Sequence, residues 1–164
     1  MDQFINLLVL NNFLRNFCIF LVYSASLWCC EERYKEWNGD CFFEKDIQFL
    51  QALINNSQSD RHSPAADLNP LELGWQTWEN SRLVEFCSST STHTECRMKY
   101  RLSGNIPEEI SNLTHLKNLS LESNNLNGAI PPEIGKLINL EELTLSSNSL
   151  NGSIPPEIGN LKSL

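Results

Sequence analysis

Two consecutive blocks of this chain are near copies of each other. LTHLKNLSLESNNLNGAIPPEIGK at 113–136 and LINLEELTLSSNSLNGSIPPEIGN at 137–160 agree at 15 of 24 positions without a gap. LSGNIPEEISN at 102–112 repeats the second half of the unit, and Leu161 to Leu164 begins another, so Ile106-Pro107, Ile130-Pro131 and Ile154-Pro155 recur every 24 residues. Such a period leaves few folds open. Each unit carries too little apolar surface to make a core alone and must stack on its neighbour. Leu119 with Leu121, and Leu143 with Leu145, alternate with polar residues, which puts each pair on one face of a short strand. Leu113, Leu116, Leu126, Ile130 and Ile134, then Leu137, Leu140, Leu150, Ile154 and Ile158, complete one apolar layer per coil.

The polar positions of the unit have their own reasons. Asn124 and Asn148 fall three residues past the Leu-x-Leu pair, where the chain turns inward. A side-chain amide donates and accepts at once, so stacked asparagines are expected to satisfy backbone groups cut off from water. Gly128 and Gly152 fall where the chain must bend. Pro131 and Pro155 are expected at an exposed edge after a second extended segment, and Gly135 and Gly159 at a turn into the next coil.

The pattern Leu-x-x-Leu-x-x-Leu-x-Leu-x-x-Asn-x-Leu-x-Gly-x-Ile-Pro-x-x-Ile-Gly, over about residues 102–164, resembles the plant-specific extracellular leucine-rich repeat. Receptor-like kinases, receptor-like proteins and polygalacturonase-inhibiting proteins share that repeat. The resemblance implies an α/β fold: a right-handed solenoid of 24-residue repeats at 101–164, with an N-terminal helical cap within 27–100. Phe43, Ile47, Leu50, Leu53 and Ile54 lie on one helical stripe of Phe42 to Ile54, with Asn55 and Asn56 as stop signals. CFFEKDIQFLQAL at 41–53 is similar to the family's capping helix. Residues 56–69 read as a loop. Trp75 and Trp78 are expected to cover the first repeat layer, and RLVEF at 82–86 to form a first edge strand. The family's Trp-x-Gly-Val-x-Cys segment is absent, and the residues 24 before Leu119 and Leu121 are Glu95 and Arg97, so the coil preceding Leu102 is expected to be degenerate or shortened.

Residues 1–26 read as a secretory signal peptide. Phe4 to Leu10 is nearly apolar and Phe17 to Tyr23 forms a second apolar run, Arg15 is the one cation, and Ser24-Ala25-Ser26 suits a peptidase. Asn11, Asn12, Arg15 and Asn16 interrupt what an uncleaved anchor would need. Secretion makes disulfides the default for the cysteines left after cleavage. Cys87 is expected to bridge to Cys96, and Cys41 to Cys29 or Cys30. Cys87, His93 and Cys96 could supply three metal ligands, but no second ligand pair at zinc-finger spacing accompanies them, and no metal site is expected. Four glycosylation sequons stand at Asn55, Asn112, Asn118 and Asn151, with Asn55 and Asn112 placed in expected connecting segments.

Binding is expected on the concave face made by the strands' outward residues. These are Lys117, Asn118, Ser120, Glu122 and Ser123 in one coil and Glu141, Glu142, Thr144, Ser146 and Ser147 in the next. None of the ten is large or aromatic, although binding hot spots favour Trp, Tyr and Arg. The competing reading is therefore a merely solvated face, on which Glu122, Glu141 and Glu142 meet either a basic ligand or only water.

A net charge of −8 without a basic stripe excludes nucleic acid as partner. A mean hydropathy of −0.29 excludes a polytopic membrane protein. No nucleophile, zinc or phosphate-loop motif surrounds His62, His93 or His115, the neighbouring carboxylates Glu108-Glu109 and Glu141-Glu142 do not separate acid and base roles, and kinase motifs are missing. The expectation is thus a non-enzyme without cofactor. By the resemblance it is a recognition module of a receptor-like kinase or receptor-like protein at the extracellular, apoplastic face of the plasma membrane. It takes a protein or peptide ligand and a leucine-rich repeat co-receptor, and meets the membrane only through parts outside this chain. The alternatives are a secreted polygalacturonase-inhibitor-like protein, or a truncated gene product, since the chain stops four residues into a coil.

Overall fold

The computed structural model describes residues 32–59, 61–89 and 100–164. The expected leader, Cys29, Cys30, His93 and Cys96 lie outside the described residues.

The described chain opens with a hairpin, β1 (Tyr34–Trp37) and β2 (Asp40–Phe43), antiparallel with Tyr34 opposite Phe43. Asn38 and Gly39 both have positive φ, +50° and +91°, as a two-residue type I′ turn requires. The helix follows directly as α1 (Glu44–Asn56), beginning two residues later and ending two residues later than the sequence pattern suggests. Its buried face is Asp46, Phe49, Leu50, Leu53 and Ile54, so Phe49 takes the place expected of Ile47, which is half-buried. Phe49 meets Phe86 edge-on with ring centroids 6.2 Å apart. Glu44 and Asp46 stand in the first turn, where negative charge complements the helix dipole.

A second hairpin, β3 (Trp75–Glu79) and β4 (Arg82–Cys87), turns through Asn80 and Ser81, again at positive φ. The register slips between Thr77 and Trp78, which pair with Glu85 and Leu83, so Val84 is the extra residue of a β-bulge. The repeats add parallel strands to this hairpin: β6 (Asn118–Ser120) beside β4, then β8 (Glu142–Thr144), giving the sheet order β3-β4-β6-β8. The expected first edge strand at 82–86 is therefore an interior strand, and the edge is β3. Asn118 pairs with Glu142, an offset equal to the sequence period, but Phe86 pairs with Leu119, an offset of 33. The coil preceding Leu102 is longer than a repeat rather than shortened, and β4 rather than Glu95 and Arg97 fills its strand position. A second, three-stranded parallel sheet joins β5 (Ser103–Gly104), β7 (Asn125–Gly128) and β9 (Ser149–Leu150). Each coil closes with a 3-10 segment, at Glu108–Asn112, Pro132–Lys136 and Pro156–Asn160.

One apolar core runs from α1 through the coils and includes Leu102, Ile106, Leu113, Leu116, Leu119, Leu121, Leu126, Ile134, Leu137 and Leu140. The asparagines act as expected. Asn124 Oδ1 accepts from Leu102 N at 2.9 Å while its Nδ2 donates to the carbonyls of Ser88 and Leu121. Asn148 repeats the arrangement one coil on, accepting from Leu126 N at 3.0 Å and donating to Leu121 O and Leu145 O. Two glycine and proline readings need correction. Pro131 and Pro155 are buried and stand before the 3-10 segments rather than at an exposed edge. Gly135 makes no left-handed turn: a Cβ there would lie 2.5 Å from Glu157 O, so its role is to let successive 3-10 segments approach.

Asp46, fully buried, ties the helix to the sheet. Its carboxylate accepts from Arg82 Nε at 2.8 Å and Nη2 at 3.0 Å and from Leu83 N at 2.9 Å. The Arg82 guanidinium also donates to Asn112 O and lies 4.2 Å from the centre of the Phe43 ring. No helix among the described residues is long and apolar enough to cross a membrane.

Candidate ligand-binding face

The outward side of the four-stranded sheet is set by strand alternation. In β6 and β8 the leucines Leu119 and Leu143 point to the core, which turns Asn118, Ser120, Glu142 and Thr144 outward. In β3, Trp75 and Trp78 are three residues apart and so point to opposite faces. Trp78 packs on the core with Phe42 edge-on at 4.9 Å, whereas Trp75 stands outward, 51% exposed. Only one of the two tryptophans covers the apolar layer as expected. The other supplies the large aromatic group that the repeat residues lack.

Two rows of side chains cross this face. Trp75, Cys87, Ser120 and Thr144 form one, and Thr77, Glu85, Asn118 and Glu142 the other. Together they line a shallow depression of about 200 Å³. Thr77 Oγ1 donates to Glu85 Oε2 at 2.8 Å. A second, more polar depression of about 520 Å³ lies where β4, β6 and β8 begin and includes Glu79, Arg82, His115, Lys117, Asn139 and Glu141. Lys117 pairs with Glu79 at 3.5 Å on the surface, where such a pair contributes little.

The ten residues expected on the binding face thus divide. Asn118, Ser120, Glu142 and Thr144 line the first depression, and Lys117 and Glu141 the second. Glu122 accepts a hydrogen bond from Ser146 Oγ at 3.2 Å beyond the strand ends. Ser123 and Ser147 occupy left-handed turns at φ +55° and +56°, where they shape the inward bend instead of extending the face. Trp75, Thr77 and Glu85 belong to the face but come from the hairpin ahead of the repeats, which the repeat period does not reach.

Of the sequons, Asn55 lies in the last turn of α1 rather than in a connecting segment, yet is exposed. Asn112 is half-buried, its side chain donating to Lys45 O at 3.4 Å, while Asn151 is exposed and Asn118 lines the depression. Cys41 and Cys87 are both disulfide-bonded, which removes Cys87 as a thiolate ligand for a metal.

The leucine rich repeat model matches residues 115–137 and 139–161. The chain thus carries leucine-rich repeats over these residues. Among solved structures it is similar to the BIR2 ectodomain from Arabidopsis thaliana, at 28% identity and a TM-score of 0.52, covering 73% of this chain and 62% of that one. The BIR3–SERK2 complex from Arabidopsis thaliana matches at 28% identity and a TM-score of 0.51, covering 73% of this chain and 65% of that one. A plant peptide hormone receptor, RGFR1 in complex with RGF2, is 48% identical over 50% of this chain, with a TM-score of 0.43. The chain spans 12% of that receptor's length. No match to a curated protein sequence is found. Within the chain itself the two repeats differ at the outward strand positions, Asn118 against Glu142 and Ser120 against Thr144.

Proposed function

We propose that this chain is a ligand-recognition part of a plant leucine-rich repeat receptor ectodomain, reading a peptide or protein on the concave side of its four-stranded sheet. The carrying observation is the depression whose floor is shared between the repeats and the β3–β4 hairpin, with Trp75 half-exposed at its rim. A half-exposed tryptophan on a rigid strand is the kind of group that dominates binding energies. The likeness to the BIR2 ectodomain and to the BIR3–SERK2 complex supports an extracellular location and a leucine-rich repeat co-receptor as second partner. The reading includes a leader at 1–26, a helical cap within 27–100 and a right-handed solenoid of 24-residue repeats at 101–164. Bridges from Cys87 to Cys96 and from Cys41 to Cys29 or Cys30, and glycans at the exposed Asn55 and Asn151, belong to the same proposal.

Selection from a random peptide library against the full chain tests the reading. Ser120→Trp, which fills the depression, is expected to abolish binding of the selected peptides, and Glu109→Trp on the 3-10 side to leave it unchanged. Equal effects of the two substitutions would refute it.

A further inference from the structure

We propose that the depression takes an arginine side chain of the ligand, an assignment that rests on the recognition reading above. The argument starts from which groups line it. Glu85 and Glu142 flank Asn118 in one row, and Trp75 stands at the end of the next. With neighbouring strands about 4.8 Å apart, the two glutamates are separated by roughly 10 Å between Cα atoms, a span that one group bound over Asn118 can bridge to both carboxylates. Glu85 is held by the Thr77 hydroxyl on one oxygen, which leaves the other free to accept. Neither glutamate has a basic partner among the described residues: the three ion pairs join Lys35 to Glu44, Arg82 to Asp46 and Lys117 to Glu79. No lysine, arginine or histidine lines the depression.

An exposed indole close to one carboxylate, Glu85, with a second, Glu142, two strands further across the depression, matches one side chain best. A guanidinium stacks on an aromatic plane and at the same time donates along its edge to carboxylates. An ammonium gives the attraction without the stacking, and a neutral or acidic group leaves the carboxylates unsatisfied or repelled. Ser120 and Thr144 hydroxyls and the Asn118 amide supply both donors and acceptors to the ligand backbone on either side. The chain's net charge of −8 would draw a cationic ligand toward it from a distance.

The test uses acetyl-arginine amide and its uncharged isostere, acetyl-citrulline amide, titrated into the ¹⁵N-labelled full chain. The arginine compound is expected to shift the Trp75 indole N–H and the amides of Asn118 and Thr144. The citrulline compound should shift them far less, and the double substitution Glu85→Gln, Glu142→Gln should weaken the arginine response by about tenfold. Unchanged resonances in the repeats of that variant show that it is folded. Equal responses to both compounds, or indifference to the double substitution, overturn the assignment. The peptide selection separates the two levels. Arginine-rich peptides that the double substitution releases support both. Neutral or acidic peptides blocked by Ser120→Trp overturn the arginine assignment and leave concave-face recognition standing. Peptides indifferent to Ser120→Trp overturn both.

Discussion

Replacing Asn124 by alanine should cost far more stability than the same change at Asn148, although the two occupy identical places in the repeat. Asn124 is 9% exposed and serves the interior between β4, β5 and the first full coil. Its loss orphans the buried Leu102 N–H and removes the donors that serve Ser88 O and Leu121 O. An unsatisfied buried group costs roughly 1–3 kcal/mol, and under-satisfied carbonyls cost less than orphaned N–H groups. The sum is about 3–5 kcal/mol. Asn148 makes the same set of bonds but is half-buried, so water replaces part of them and the cost falls to about 1–2 kcal/mol. Asn124→Asp is the sharper control: it keeps an acceptor for Leu102 N–H, loses both donors and buries a charge, so it should be no better than alanine. Urea unfolding of the oxidised chain followed by tryptophan fluorescence gives the free energies, and hydrogen exchange at the Leu102 amide localises the defect. Equal costs at the two positions, or less than about 1 kcal/mol at Asn124, would refute the claim that these amides stitch the coils.

Other substitutions follow the same logic. Asp46→Ala should destabilise by about 3–5 kcal/mol by stranding Arg82 and the Leu83 N–H, measured in the same urea series; a cost below about 1 kcal/mol would mean that the ion pair does not anchor the helix. Gly135→Ala should destabilise by roughly 1–3 kcal/mol through collision with Glu157, while Gly159→Ala, whose Cβ meets nothing within 4 Å, should be neutral or slightly stabilising. Ile106→Ala at a site 2% exposed should cost about 2–5 kcal/mol, but Ile154→Ala, 72% exposed, under about 1 kcal/mol. Reduction and alkylation of the cysteines should lower the urea midpoint by the equivalent of about 2–5 kcal/mol.

Strand and turn were legible because single residues carry them: Leu119 and Leu121 face the core, and Asn124 has one geometry in which both its oxygen and its nitrogen are used; the apolar layer was legible only in part, since Ile154, expected within it, is 72% exposed. The region before the repeats was legible only in part. The helix stripe showed in the spacing of Leu50, Leu53 and Ile54, but the residue that fixes α1 to the sheet is Asp46, which in sequence is only one acid among several. Two turn signals, Asn38-Gly39 and Asn80-Ser81, mark hairpins that lie outside the repeat period. The odd separation of Trp75 and Trp78 already implied that a strand would send them to opposite faces. What no local pattern could supply is the offset of 33 between Phe86 and Leu119, which brings Trp75 and Glu85 alongside the repeat strands. That offset is set by tertiary pairing, and it is what gives the polar sheet surface an aromatic rim.

The proposed recognition requires the ligand to meet the four-stranded sheet and not the 3-10 side of the coils. Hydrogen exchange of the full chain with and without a library-selected peptide gives the footprint directly. Protection is expected over Trp75–Glu79, Arg82–Cys87, Asn118–Ser120 and Glu142–Thr144, with the 3-10 segments Glu108–Asn112 and Pro132–Lys136 unchanged. Protection confined to the 3-10 segments would contradict it.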